Sequence, residues 1–242
     1  MPPQVLRTAD FARDAARFIL QTAHGALAER GLFRLALSGG STPREVHEAL
    51  AGLARDLPWD RVQITFGDER CVPPEHPESN YRMAKESLLD RVAVPAGNVF
   101  RIRGESDPGD AARAYEETLR AVADRFREPR YVHDLILLGL GSDGHTASLF
   151  PGSPALSETV RHVLPVTGPK PPVQRVTFTF PLINVARQVL FLVKDVDGSK
   201  RPIIDEIISG RSSLPAARVR PEAGGLAWII GTTNRADAPP GH

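Results

Sequence analysis

The sequence predicts an α/β fold: a mainly parallel central sheet flanked by helices, in a single domain spanning residues 1–242. Three observations lead to it. Stretches of helical period alternate with short β-branched apolar runs, the pattern of successive βα units. Most of the 22 prolines fall between those stretches, in segments such as "CVPPEHPESN", "TGPKPPVQ" and "RPEAGG". No repeat, low-complexity block or long linker divides the 242 residues, a length that buries a sizeable core in one unit.

In chain order, "TADFARDAARFILQTAHGALAERG" reads as an amphipathic helix with Phe11, Ala15, Phe18 and Ile19 on one face and Gly31 as its stop. The strand "FRLAL" follows at once. A helix over 43–55 comes next, because Thr42-Pro43-Arg44-Glu45 has the form of a capping box with proline at the first helical position. Then come the strands "RVQITF" and "NVFRI", with a helix over 81–90 between them, and a helix over 110–126 leading to the strand "HDLILL". "RHVLPV", "RVTFTF", "QVLFLV" and "LAWII" are the remaining strands, with a helix over 199–209 before the last. The loop over 168–174, within "TGPKPPVQ", is the best candidate for a mobile segment.

Charge and composition narrow the function. Lys+Arg number 30 against 29 Asp+Glu, with no basic block to neutralise a run of phosphates, so no nucleic-acid partner is expected. Cys71 is the single cysteine, which excludes an intramolecular disulfide, offers no thiolate pair for zinc and fits a reducing compartment. The seven histidines show no ligand spacing, so no metal site is expected. "MPPQVLRTADFARD" carries charge where a signal peptide needs an apolar run, and no stretch approaches the roughly 18 apolar residues of a membrane span. A cytoplasmic protein without a membrane partner is the expectation.

Three stretches carry candidate chemistry. In "LALSGGSTPREV" a strand runs through Gly39 and Gly40 into a helix start, whose free N–H groups and the hydroxyls of Ser38, Ser41 and Thr42 suit a phosphate. An ordinary capped turn would look the same. Without G-x-x-x-x-G-K-[ST], the ligand would be a phosphate ester rather than a nucleoside triphosphate. "FGDERCV" puts Asp68, Glu69 and Arg70 at a strand end, where Arg70 offers a fork of donors to a phosphate or an oxyanion. A solvated charge cluster is the plainer reading. In a parallel sheet, however, the ends of "FRLAL", "RVQITF" and "HDLILL" open onto one edge, where α/β proteins bind ligands.

The third stretch, "LGLGSDGHTASLFPG", formally contains G-x-G-x-x-G, but no acidic residue ends the next strand, as a dinucleotide site requires. Neither Ser142 nor Ser148 is flanked as a nucleophile elbow. What remains is His145 on a glycine loop, a side chain suited to exchange protons near neutral pH, or else a histidine that merely satisfies the following turn.

These motifs, with "SNYRMAKESLL", "RVTFTFPLINVARQVLFLV" and "LPAARVRPEAGGLAWII", resemble in order and spacing the 6-phosphogluconolactonase family from about residue 30 to 230. The related glucosamine-6-phosphate deaminases carry a glutamate where this chain has Phe150, and their "DEY" corresponds to Asp68-Glu69-Arg70. The family pattern usually ends in an aspartate followed by alanines, whereas this chain ends "GTTNRADAPPGH".

The resemblance implies a Rossmann-like fold, no cofactor or metal, and hydrolysis of 6-phospho-D-glucono-1,5-lactone to 6-phosphogluconate in the pentose phosphate pathway. It implies a small-molecule sugar-phosphate partner, and a monomer or small homo-oligomer is expected. His145 is assigned as the base, Asp143 as its orienting partner, and Arg70 to the transition-state charge or the phosphate. The substrate is expected against Ser38, Gly39, Gly40, Ser41, Thr42, Asp68 and Gly144, with Arg175 and Lys200 on the phosphate. Asn80 either contacts substrate hydroxyls or caps the helix that follows it, and the cap is the expectation. The rival readings are an amino-sugar-phosphate isomerase or deaminase, and a sugar-phosphate sensor that binds without reacting.

Overall fold

A computed structural model describes residues 2–233. Most of the atypical C-terminal tail therefore lies outside the described residues. Six strands, β1 (Gln4–Thr8), β2 (Phe33–Leu37), β3 (Val62–Phe66), β5 (Leu135–Gly139), β8 (Gln188–Lys194) and β9 (Gly225–Gly231), form one sheet in the order β1-β9-β8-β5-β2-β3. Every pairing within it is parallel. The helices are α1 (Phe11–Arg30), α2 (Ser41–Leu53), α3 (Asn80–Ser87), α4 (Pro108–Arg125), α5 (Phe180–Ile183) and α6 (Arg201–Ile208). β2, inside the sheet, and even β3 at its edge are buried at every residue, the pattern of parallel strands covered on both faces.

Three strands leave this pattern. β4 (Asp68–Arg70), β6 (Val163–Thr167) and β7 (Gln174–Phe178) make a separate antiparallel sheet in the order β4-β7-β6. The segment 168–173 is the turn of the β6–β7 hairpin, closed by the Gly168 amide donating to the Val173 carbonyl at 2.6 Å.

Several sequence expectations change here. β1 precedes the first helix and was not foreseen: it is five residues long, is interrupted by Arg7, and gains its order from pairing with β9. "NVFRI" is not a strand, and touches the sheet through a single bridge between Ile64 and Val99. The buried Tyr115 of α4 supplies the reason, since its hydroxyl accepts from the Phe66 amide and donates to the Phe100 carbonyl, standing where a ladder would run. Among the described residues, no helix is long and apolar enough to cross a membrane.

Candidate active site

β5, β2 and β3 are neighbours in the sheet, so their carboxyl ends open onto one edge. At the end of β2 the chain turns through Ser38, Gly39 and Gly40 and enters α2 at Ser41. The expected capping box does not form. Gly40 is the N-cap at φ +102°, a conformation that favours glycine, and no side chain bonds the helix start. The first amides of α2, and the hydroxyls of Ser41 and Thr42, are therefore not spent on a capping box. Gly39 has its own constraint: a Cβ there would lie 1.8 Å from the Asn80 Oδ1.

Beyond β3, Gly67 breaks the parallel sheet and β4 joins β7, with Asp68 opposite Thr177 and Arg70 opposite Arg175. This register sets the two guanidinium side chains beside each other. Arg70 is anchored by a 2.7 Å bond from Nη1 to the Glu78 carbonyl. The Nε groups of both arginines are buried without a hydrogen-bond partner among the described residues, the condition of donors awaiting an acceptor. Burial lowers the Arg175 pKa; Asp68 opposes that, and Arg70 adds to it.

Glu69 is not part of a solvated cluster. Its carboxylate is buried and accepts from the amides of Arg70, Asn80 and Tyr81 and from the Ser79 hydroxyl, which fixes the start of α3. Burial pushes its pKa up, against the opposing pull of those amide bonds. Ser79, not Asn80, is the N-cap of α3, its side chain accepting from the Arg82 amide. Asn80 instead turns toward β4, where its Nδ2 donates to the Asp68 carbonyl at 2.9 Å and to Asp68 Oδ1 at 3.2 Å.

The loop after β5 carries His145. Its ring Nδ1 lies 2.5 Å from Asp143 Oδ1, which also accepts from the His145 amide at 3.1 Å. A carboxylate at Nδ1 assigns the proton to that nitrogen and leaves the lone pair on Nε2. Burial tends to raise the Asp143 pKa, but the bonds from His145 outweigh it and hold the carboxyl below its usual range. The Phe150 ring packs against the imidazole at 4.7 Å between centroids, and the Arg175 guanidinium stands 5.7 Å from the same phenyl ring. Lys200 reaches in from the start of α6, its Nζ donating to the Leu140 carbonyl at 3.0 Å.

A cleft of about 220 Å³ joins these parts. Ser38, Gly39, Gly40, Ser41, Thr42, Asp68, Arg70, His145, Arg175 and Lys200 all line it, as does Asn80. Two of the expected residues stand elsewhere. Asp143 acts on His145 rather than on the cleft wall, and Gly144 at φ +78° faces the Leu214 side chain, its carbonyl accepting from the Ala216 amide. A larger, open groove of about 940 Å³ borders Phe150, but no basic side chain lines it, so it does not suit a phosphate ester. Among the described residues, no three His, Cys, Asp or Glu side chains converge to hold a metal ion.

The sequence reading preferred a helix cap for Asn80 over a place in the cleft, and it missed the contact of Ser148, whose Oγ donates to Asp68 Oδ2 at 2.6 Å. No local signal marks either contact, because their partner lies 12 and 80 residues away in the chain.

Residues 7–228 match the family described as glucosamine-6-phosphate isomerases/6-phosphogluconolactonase. A 6-phosphogluconolactonase of Synechocystis is 44% identical over 209 residues, covering 85% of this chain and 84% of the relative. One from rat is 39% identical, over 89% of this chain and 84% of its own. Among solved structures, a 6-phosphogluconolactonase from Thermotoga maritima superposes with a TM-score of 0.83 at 30% identity, covering 94% of this chain and 99% of the other. One from Trypanosoma brucei gives 0.80 at 28%, covering 94% and 95%.

Proposed function

The chain belongs to the glucosamine-6-phosphate isomerase/6-phosphogluconolactonase family, and from that membership we propose how its cleft hydrolyses 6-phospho-D-glucono-1,5-lactone to 6-phosphogluconate. It is a lactone-hydrolysing enzyme of carbohydrate metabolism. The observation that carries the mechanism is the 2.5 Å contact between Asp143 and the Nδ1 of a histidine that opens onto a cleft lined by Arg70, Arg175 and Lys200.

His145 Nε2 takes a proton from water as the water oxygen bonds to the lactone carbonyl carbon, and Asp143 steadies the resulting imidazolium. The carbonyl oxygen gains negative charge, and Arg70 supplies the donor for it. When the tetrahedral intermediate collapses, the bond from that carbon to the ring oxygen breaks, and the imidazolium returns its proton to the leaving alkoxide. The products are a hydroxyl and a carboxylic acid that loses its proton to solvent to become the carboxylate, with one water consumed. The phosphate sits at the start of α2, on the amides and hydroxyls of Ser41 and Thr42, with Arg175 and Lys200 as its cations.

The isomerase or deaminase alternative is disfavoured by Phe150, which sits against His145 where the deaminases carry a glutamate and can neither donate nor accept a proton. A coupled assay that measures lactone hydrolysis and ammonia release side by side tests the assignment. Hydrolysis without ammonia supports it, and ammonia release from glucosamine 6-phosphate overturns it.

The same proposal has the chain working in the cytoplasm as one domain, monomeric or in a small homo-oligomer, without cofactor, metal or nucleic acid. Its single cysteine and its near-neutral charge balance support that reading.

A further inference from the structure

Asp68 joins the two loops that the proposed mechanism must hold in register. One carboxylate oxygen accepts from Asn80 Nδ2 at 3.2 Å, and the other from Ser148 Oγ at 2.6 Å. Asn80 is 2% exposed and lies flat against Gly39 of the phosphate loop, close enough that a methyl group on Gly39 would overlap its side-chain amide. Ser148 is fully buried and lies three residues after His145. Between them Ala147 has φ +48°, uncommon for a residue with a Cβ, so the turn that carries the histidine is one its surroundings must impose. Those surroundings are specific: the Ser148 amide donates to Thr177 Oγ1 at 3.1 Å, its hydroxyl donates to Asp68, and Thr146 Oγ1 donates to the Gly139 carbonyl at 2.9 Å.

We propose that Ser148 and Asn80 are positioning residues, which clamp the Asp68 carboxylate from opposite sides and so set the distance between the histidine loop and the phosphate loop. Neither need touch the reacting atoms. Their effect passes through Asp68, which lines the cleft, to the turn that aims His145. Because placement of a base within about an ångström governs rate more than binding, losing the clamp lowers kcat while leaving the phosphate contacts in place. The inference rests on the lactonase reading above. If the wild-type protein fails to hydrolyse the lactone, that reading falls; if it hydrolyses normally and the variants below do too, the clamp alone falls.

The test measures kcat, KM and the affinity for 6-phosphogluconate in Ser148→Ala, Asn80→Ala and Asn80→Asp. The alanine variants are expected to lose about tenfold or more in kcat, with KM and product affinity within about threefold of wild type. Asn80→Asp separates a clamp from a mere packing role. A carboxyl at position 80 can donate to Asp68 only while it carries a proton, and burial beside the Asp68 carboxylate raises its pKa, so its kcat relative to wild type rises as the pH falls from 8 to 6, whereas the same ratio for Asn80→Ala stays flat. The charged groups around the clamp are Glu69 and Arg70 on the same strand, Arg175 on β7, His145 on its loop and Lys200 at α6. All are shared with Asn80→Ala, so the comparison of the two variants isolates what a carboxyl at position 80 adds. Unchanged kcat in the alanine variants, a rise in KM alone, a flat ratio for Asn80→Asp, or loss of product binding would each overturn the proposal.

Discussion

In the proposed mechanism His145 is the residue on which the chemistry turns. His145→Ala is expected to keep its affinity for 6-phosphogluconate and to lose about 10²–10⁴ in kcat, the usual contribution of a positioned base. Turnover within a few-fold of wild type, after subtracting the lactone's spontaneous hydrolysis, would remove it from the mechanism. Arg175 and Lys200 make a separate prediction. Replacing either by Ala should weaken the phosphorylated lactone far more than its unphosphorylated counterpart, a charge-assisted contact being worth roughly 1.5–3 kcal/mol. Equal losses on both substrates would place these side chains away from the phosphate. The residues legible in the sequence were those whose chemical type declares a role at a strand end: a histidine among glycines, an arginine after two carboxylates. Asn80, Ser148 and the burial of Glu69 were not legible, since each depends on partners that only folding brings near.

At the scale of elements, the proposed phosphate site belongs to the β2–α2 junction. Gly40 at φ +102° has no neighbour within 4 Å of the place a Cβ would occupy, so Gly40→Ala meets no clash but imposes a strained backbone, of the order of 1–3 kcal/mol. The expected outcome is a raised KM for the phosphorylated lactone with a smaller change in kcat, since the loop at the start of α2 moves while His145 stays. An unchanged KM would show that the phosphate binds elsewhere. The strand–glycine–helix sequence announced this junction, although it suggested a capping box two residues too far along. "HDLILL" and "QVLFLV" were equally plain, being buried runs with no alternative use. β4 and β1 were obscure because each is short, rich in polar residues, and ordered by a distant partner strand, β7 and β9 respectively.

For the molecule as a whole, two buried histidines outside the cleft contribute to the response to acid. Burial lowers the pKa of His47, and Arg44 adds to the effect; burial likewise lowers that of His133, with Arg34 and His162 adding to it, so that both fall to about 3. In the unfolded chain each binds its proton near the ordinary value of about 6.5. Their contribution is therefore fully present above that pH and is lost as the pH falls from about 6.5 towards 3. Between pH 7 and pH 5 the two together should cost about 4 kcal/mol, or on the order of 10 °C in Tm. Glu69, raised by burial, acts the other way, gaining stability as the pH falls through its own range. Thermal unfolding at the two pH values checks this, and an unchanged Tm would contradict it. Parallel order could be expected from the alternation of helix and strand, but the small antiparallel sheet could not, because "RHVLPV" and "RVTFTF" look the same in either sheet.

One measurement bears most directly on the central claim that this cleft hydrolyses a phosphorylated lactone with His145 as its base. It follows the disappearance of 6-phospho-D-glucono-1,5-lactone, against a blank without enzyme, for the wild-type protein and His145→Ala, with ammonia release from glucosamine 6-phosphate measured on the same samples. The account predicts rapid hydrolysis by the wild type, a loss of about 10²–10⁴ in the variant, and no ammonia from either. Wild-type hydrolysis no faster than the blank, a variant as active as the wild type, or ammonia release that His145→Ala abolishes would contradict it.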